Sequence, residues 1–265
     1  MSKVYLKRFV PYLGLVLKRS HQYPGGEEEY EEEKKRIRLL EREAERLTPL
    51  NMYINDALRK AKPVFGNPPS RCTFWALSKD PKTEPYFEPE PPYLYVDVDF
   101  APEDLFNLGS DKTEIGERGI DLVEEALSKL QVVPGFPADI IREGCEECCK
   151  NDYTRYWKFY QTTIPSTKIK CQIDMEASGA DTKRIFTASY RGKILIKKQI
   201  SQIDRPDFSF EKLKDDIVLE GHNIFIKPKL WRWEVEAQAD NPQSYYTDAK
   251  IDLSDYPDVL ELIKK

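Results

Sequence analysis

Two histidines in 265 residues leave little material for the commonest acid–base and metal-ligand chemistry. His222 stands in Glu220-Gly221-His222-Asn223, which predicts a tight turn between strands, and His21 falls in a loop before Gly25-Gly26. There is no Gly-x-Ser-x-Gly elbow and no spacing that recommends a Cys–His pair, which argues against serine and cysteine hydrolases. The 12 glycines form neither Gly-x-Gly-x-x-Gly nor a Walker sequence, so the usual phosphate-cradling loops are excluded. Long apolar runs are missing as well. Val10–Leu17 is broken by Pro11 and Gly14 and closed by Lys18-Arg19, too short for a membrane span and without a small-residue cleavage site. The expectation is a strand at a domain edge, no membrane segment and a cytoplasmic protein. An odd count of 5 cysteines, three of them within 145–149, fits a reducing compartment.

What is present is charge, unevenly placed. Asp80–Glu147 holds 18 acidic and 5 basic side chains, a balance of −13 in a chain of net charge −5, so the remainder is at +8. Such asymmetry marks where a cationic partner or ion is drawn. Apolar residues are 40 % and charged residues 33 %, a composition that folds rather than staying disordered.

Periodicity predicts an α+β chain. A helix-rich acidic part with a small sheet spans 1–150, and a mostly antiparallel β-meander, tightly packed on the first part, spans 151–265. Residues 3–18 read as strand, broken near Pro11. A helical hairpin is expected over 27–61, with Glu31/Lys35 and Glu32/Arg36 paired at i,i+4, Thr48 as cap and Pro49 in the first turn. Thr73–Leu77 and Tyr93–Phe100 read as strands, and the proline-rich Asp80–Pro92 between them as an extended surface loop. Helices are expected over 117–130 and 138–149. Beyond them, Ile169–Met175, Lys183–Tyr190 and Lys193–Ile200 alternate around turns at Ser178–Asp181 and Arg191-Gly192. Ile224–Ile226 and Leu230–Ala237 add two strands, and Asp255–Lys265 a terminal helix. Tyr153, Trp157 and Phe159 are expected to bury at the junction of the two parts.

Three groups invite chemistry. Cys145-Glu146-Glu147-Cys148-Cys149 contains a Cys-x-x-Cys pair, half of a zinc site, but Cys72, Cys171, His21 and His222 are isolated and offer no second pair. Ile141, Cys145, Cys148 and Cys149 recur instead as a helical stripe, so core packing is the expectation. Asp97 and Asp99, at i and i+2 on a strand, project from one face about 7 Å apart. Two carboxylates so placed share a divalent cation such as Mg²⁺ or Mn²⁺. This Asp-x-Asp resembles the metal motif of nucleotidyltransferases and many glycosyltransferases, and that resemblance implies a transferase. It covers three residues, and Gly109-Ser110 follows the motif rather than preceding it. The competing expectation is a solvent-facing strand edge. Trp231 and Trp233 share one strand face, as core anchors or interface residues. Lys168–Lys198 holds 8 basic against 3 acidic residues, yet the overall negative charge argues against nucleic acid as a partner.

The expected function is therefore a non-enzymatic, cofactor-free protein that presents an acidic surface to a basic protein partner. Its size and charge fit the profile of a bacterial immunity protein, which neutralises a toxin by covering its active site. The contact surface is expected at Glu84, Glu88, Glu90, Asp97, Asp99, Glu103 and Asp104, with Glu27–Glu33 as a second candidate.

Overall fold

A computed structural model of the chain describes residues 8–12, 26–63, 71–75, 84–89, 92–98, 109–165, 167–204, 215–229, 235 and 246–263. The chain is α+β and divides into two units, Met1–Tyr153 and Thr154–Lys265.

In the first unit, β1 (Arg8–Tyr12), β2 (Arg71–Trp75), β3 (Tyr86–Pro89) and β4 (Pro92–Asp97) form a mixed sheet in the order β1-β2-β4-β3. β1 and β4 both run parallel to β2, and β3 returns antiparallel to β4. Pro11 does not break β1, because β1 is an edge strand and the missing N–H is tolerated there. The proline-rich stretch read as a loop contains the opposite edge, β3. Its prolines are compatible with an edge position, and Tyr86 stacks on its register partner Tyr95 with ring centroids 5.2 Å apart.

Parallel strands need a long crossover, and two helices lie between β1 and β2: α1 (Gly26–Glu45) and α2 (Thr48–Ala61). Glu27, Glu28 and Glu29 occupy the first turn of α1, where carboxylates favour the positive end of the helix dipole. Glu31 pairs with Lys34 at 2.7 Å, one residue short of the expected i,i+4 spacing, and Lys34 also lies over the Tyr30 ring. Thr48 is not a cap: Leu47 takes that position without a side-chain bond, and Pro49 suits the first turn because it has no N–H to leave unsatisfied. Leu50, Tyr53, Ile54 and Leu58 are buried on one face of the helix, whereas Ala57 and Ala61, which the i, i+3, i+4, i+7 pattern also predicts there, are respectively half-buried and exposed. Lys62, at φ 50, ends the helix in the left-handed conformation ahead of Pro63.

α3 (Lys112–Leu130) begins earlier than its apolar periodicity suggests, because Asp111 caps it by accepting from the Thr113 and Glu114 backbone N–H groups at 2.7 and 3.3 Å. α4 (Ala138–Lys150) follows a short loop. Glycine sets the helix packing. A Cβ on Gly144 would lie 2.5 Å from the Ile54 Cα, so α4 meets the backbone of α2 directly. A Cβ on Gly116 would lie 2.0–2.5 Å from three atoms of the Tyr153 ring, so the ring occupies the space beside this glycine.

The second unit is built from sequential antiparallel pairs. β5 (Arg155–Thr163), β6 (Ile169–Ala177), β7 (Thr182–Tyr190) and β8 (Lys193–Ile203) form a four-stranded meander. β9 (Asp216–Glu220), β10 (Asn223–Lys227) and β11 (Ala249–Asp252) form a second sheet, in the order β11-β10-β9. The predicted turn at Gly221-His222 joins β9 to β10. Ile169, Cys171, Ile173, Phe186 and Ala188 of the meander pack with Ile224, Ile226 and Ile251 of the second sheet and with Val259 of α5 (Pro257–Ile263). This is a sandwich core with alternating in-facing residues.

A charged pair lies inside the second unit. Arg184, on the inward face of β7, pairs with Asp215 at the entry to β9, both buried, and its guanidinium stacks 4.8 Å from the centre of the buried Tyr246 ring. Of the predicted strand Leu230–Ala237, all but the exposed Val235 lies outside the described residues, Trp231 and Trp233 included.

Candidate interaction surface

Asp97 is the last residue of β4 and only 2 % exposed. Alternation along β4 predicts an outward side chain there, but Leu94, Val96 and Val98 are buried together with it, so this end of the strand is enclosed. Lys129 of α3 donates to the Asp97 carbonyl at 2.6 Å and fastens the helix to the strand end. Burial corrects the expectation of Asp97 as a surface contact: it is an interior group. A cation shared with Asp99 and open to a nucleotide would need an accessible carboxylate at 97. Asp99, Glu90, Glu103 and Asp104 lie outside the described residues. Glu84 is exposed, and Glu88 sits on the edge strand β3. The seven predicted contact residues are thus not brought together as one described surface.

The described part of the acidic segment that does form a surface is the α3–α4 pair. Ile115, Leu122, Val123, Ala126, Leu127 and Leu130 of α3 point inward. The opposite face carries Glu114, Glu117 and Asp121 at i, i+3, i+7, all exposed. α4 buries Ile141, Gly144, Cys145 and Cys148, and exposes Asp139, Glu143, Glu146 and Glu147. Arg142 of α4 grips Glu124 of α3 with both ends of its guanidinium, Nε and one terminal nitrogen each 2.9 Å from a carboxylate oxygen. That two-point contact holds the two acidic stripes in fixed register.

Neutralisation of this face is slight. Arg118–Asp121 at 3.9 Å, Arg142–Asp139 at 3.6 Å and Lys150–Glu146 at 3.8 Å are long, exposed pairs of the kind worth little in water. Glu114, Glu117 and Glu143 have no ion-pair partner among the described residues. The sequence contained the signal for these positions: they are the polar phase of the same periodicity that predicts the helices. Glu27, Glu28, Glu29 and Glu32 of α1 form a second exposed acidic group.

The cysteines divide as their helical phase dictates, with one correction. Cys145 and Cys148 are buried, as is Cys171 in β6, whereas Cys149 is exposed. At 3.6 residues per turn Cys149 sits about 80° from Ile141, on the rim of the buried stripe. Burial pushes the Cys145 and Cys171 thiols up to about 12, which leaves them protonated at neutral pH. The Cys149 thiol donates to the Tyr153 hydroxyl at 3.5 Å. Of these four, Cys149 alone is expected to react with a thiol reagent in the native protein at pH 8, the others only after unfolding. Peptide mapping after alkylation checks this; modification of Cys145 at the rate of Cys149 would contradict its burial. No group of three or more His, Cys, Asp or Glu side chains among the described residues is arranged to hold a metal ion.

No helix among the described residues is long and apolar enough to cross a membrane. No protein-family model matches the chain, and comparison with curated proteins and with solved structures found no match.

Proposed function

We propose that the protein is a binding protein that offers the acidic α3–α4 face to a basic protein partner. The observation that carries this reading is the outward array of Glu114, Glu117 and Glu143, exposed and without ion-pair partners among the described residues, on two helices locked together by Arg142 and Glu124. A rigid face loses little conformational entropy on docking, and its field steers a cationic partner and penalises anionic ones. Neutralisation of a basic toxin by an immunity protein is the specific form of this reading that the chain's size and charge favour.

The test is retention from a native lysate on the tagged protein beside a Glu114→Lys, Glu117→Lys, Glu143→Lys variant. The three substitutions are at exposed positions, and an unchanged circular dichroism spectrum and melting midpoint establish that the variant is folded. A basic protein held stoichiometrically at about 50 mM salt should be released at about 500 mM, where the screening length falls several-fold. Retention on the variant should fall at least about 10-fold, the size expected when three favourable surface charges become repulsive. Equal retention on both baits, or none on either, would remove the α3–α4 face as a binding surface.

A further inference from the structure

The outer face of the meander is electrically divided. β6, β7 and β8 are in register at the end that carries the Arg191-Gly192 turn, with Lys170 opposite Ser189 and Ser189 opposite Ile194, then Gln172 opposite Thr187 and Thr187 opposite Lys197. Residues 161–173 and 187–199, which make up this end, contain Lys168, Lys170, Arg191, Lys193, Lys197 and Lys198 and not one Asp or Glu. All six are exposed, but they do not all share one face: Lys170 and Lys197 stand on the outer phase with Gln172, Thr187 and Ser189, whereas Lys193 and Lys198 pair with Tyr190 and Phe186 on the in-facing phase of the edge strand. None has an ion-pair partner among the described residues, and Arg191 lies over the Tyr190 ring at 5.3 Å. The opposite end is of mixed sign and internally satisfied: Lys183 bonds Glu176 at 3.1 Å, and Gln202 bonds Asp181 at 2.7 Å.

Lysines on an edge strand have an ordinary purpose, to deter pairing with another sheet. That accounts for Lys193, Lys197 and Lys198 on β8. It does not account for Lys168, which leads into β6, nor for Lys170 on β6, since β6 is an inner strand paired on both sides. Lys168 and Lys170, at i and i+2, stand about 7 Å apart along the strand, and Lys197 lies about 10 Å across, two strand spacings away. Between them the sheet shows Thr187, Ser189, the exposed Ile194 and Gln172, whose amide donates to the Asp174 carboxylate at 2.7 Å, so that the acidic margin of the surface begins at Asp174.

We infer that this end of the sheet is a binding surface for the backbone of a single-stranded nucleic acid. Repeating unpaired cations complement a repeating line of phosphates, the polar floor between them hydrogen-bonds to sugars and base edges, and Arg191, held by Tyr190, supplies a flat cation for stacking. The residues of this surface are not those of the α3–α4 face, and neither inference depends on the other.

The test is fluorescence anisotropy with a labelled oligothymidylate and an oligouridylate, from about 50 to about 200 mM salt. For about four phosphate contacts on a single strand, affinity should fall about 50-fold over that range. Lys168→Glu, Lys170→Glu, Lys197→Glu should weaken binding by more than about 20-fold, with an unchanged circular dichroism spectrum. Lys35→Glu, Arg59→Glu, Lys60→Glu alters the net charge by the same amount at exposed positions of the other unit and should change affinity less than about 3-fold. Loss in both variants alike would mean that only net charge matters and would overturn the assignment. So would the absence of binding at about 50 mM, or binding of a polyglutamate peptide in place of the oligonucleotides, which would identify an acidic protein as the partner.

Discussion

Gly144→Ala is expected to destabilise the unit Met1–Tyr153 by about 3 kcal/mol, visible as a fall of about 6–12 °C in the melting midpoint of that unit. Two effects of opposite sign compete. Alanine in mid-helix gains about 1 kcal/mol over glycine by propensity alone. Against it, the new Cβ would sit 2.5 Å from the Ile54 Cα and 2.9 Å from its nitrogen, backbone atoms that no rotamer change moves aside. Relief requires α4 to retreat from α2, which opens the contact around Ile54 and Leu58, both fully buried. The clash wins. Glu143→Ala, one residue earlier and exposed, serves as the control and should shift stability by less than about 0.5 kcal/mol. A Gly144→Ala protein as stable as the wild type would mean that the helices do not approach through this residue.

Asp215→Ala should cost about 3–5 kcal/mol in the second unit, because it removes the buried carboxylate that pairs with the buried Arg184 guanidinium. Arg184→Met removes the same pair from the other side and also gives up the stack on Tyr246. The informative variant is the double one, Arg184→Met with Asp215→Leu. Replacing both charges with apolar groups of similar volume removes their desolvation penalty together with their attraction. Its loss should be smaller than the sum of the single losses by at least about 1–2 kcal/mol, measured by urea unfolding as a double-mutant cycle. Strict additivity would show that the two side chains do not act as a pair.

How much of this was legible in the sequence depends on which contacts define each element. β6 and β7 are readable because every in-facing position from Ile169 to Ala177 and from Thr182 to Ala188 keeps period 2, and β8 is marked off by the Arg191-Gly192 turn although its own alternation is broken by register shifts. β5 is not readable. Tyr156, Trp157, Phe159 and Tyr160 put aromatics in both phases, and the register shift between Lys158 and Tyr160 erases the alternation. β9 and β11 are short, and β11 buries only Ile251 completely, so each depends on β10 to exist as a strand. The start of α3 was misplaced because its apolar phase begins at Ile115 while its boundary is set by a polar cap at Asp111. Asp97 shows the deeper limit: strand alternation specifies two faces but not that both are covered. That is decided by α3, whose Lys129 reaches the strand end from outside the local sequence. The acidic helical stripes are implicit in the periodicity, as the polar phase opposite Ile115–Leu130 and Ile141–Cys148, but composition alone marks 80–104, with its prolines and carboxylates, just as strongly.

The route of the chain through the first sheet bears on how each unit forms. β2 is paired in parallel on both sides, and its partner β1 is separated from it by the whole of α1 and α2, so Arg8 must find Arg71 across that span. Such pairing repays its loop-closure entropy only after both helices are in place. The β5–β8 meander closes each pair through a short turn, and its contacts accrue one hairpin at a time. In a chain emerging N-terminus first, the half that is made earlier is therefore the half whose strand pairing is the less local, while the later half gains its β5–β8 pairs hairpin by hairpin and closes its core when Ile251 and Val259 arrive.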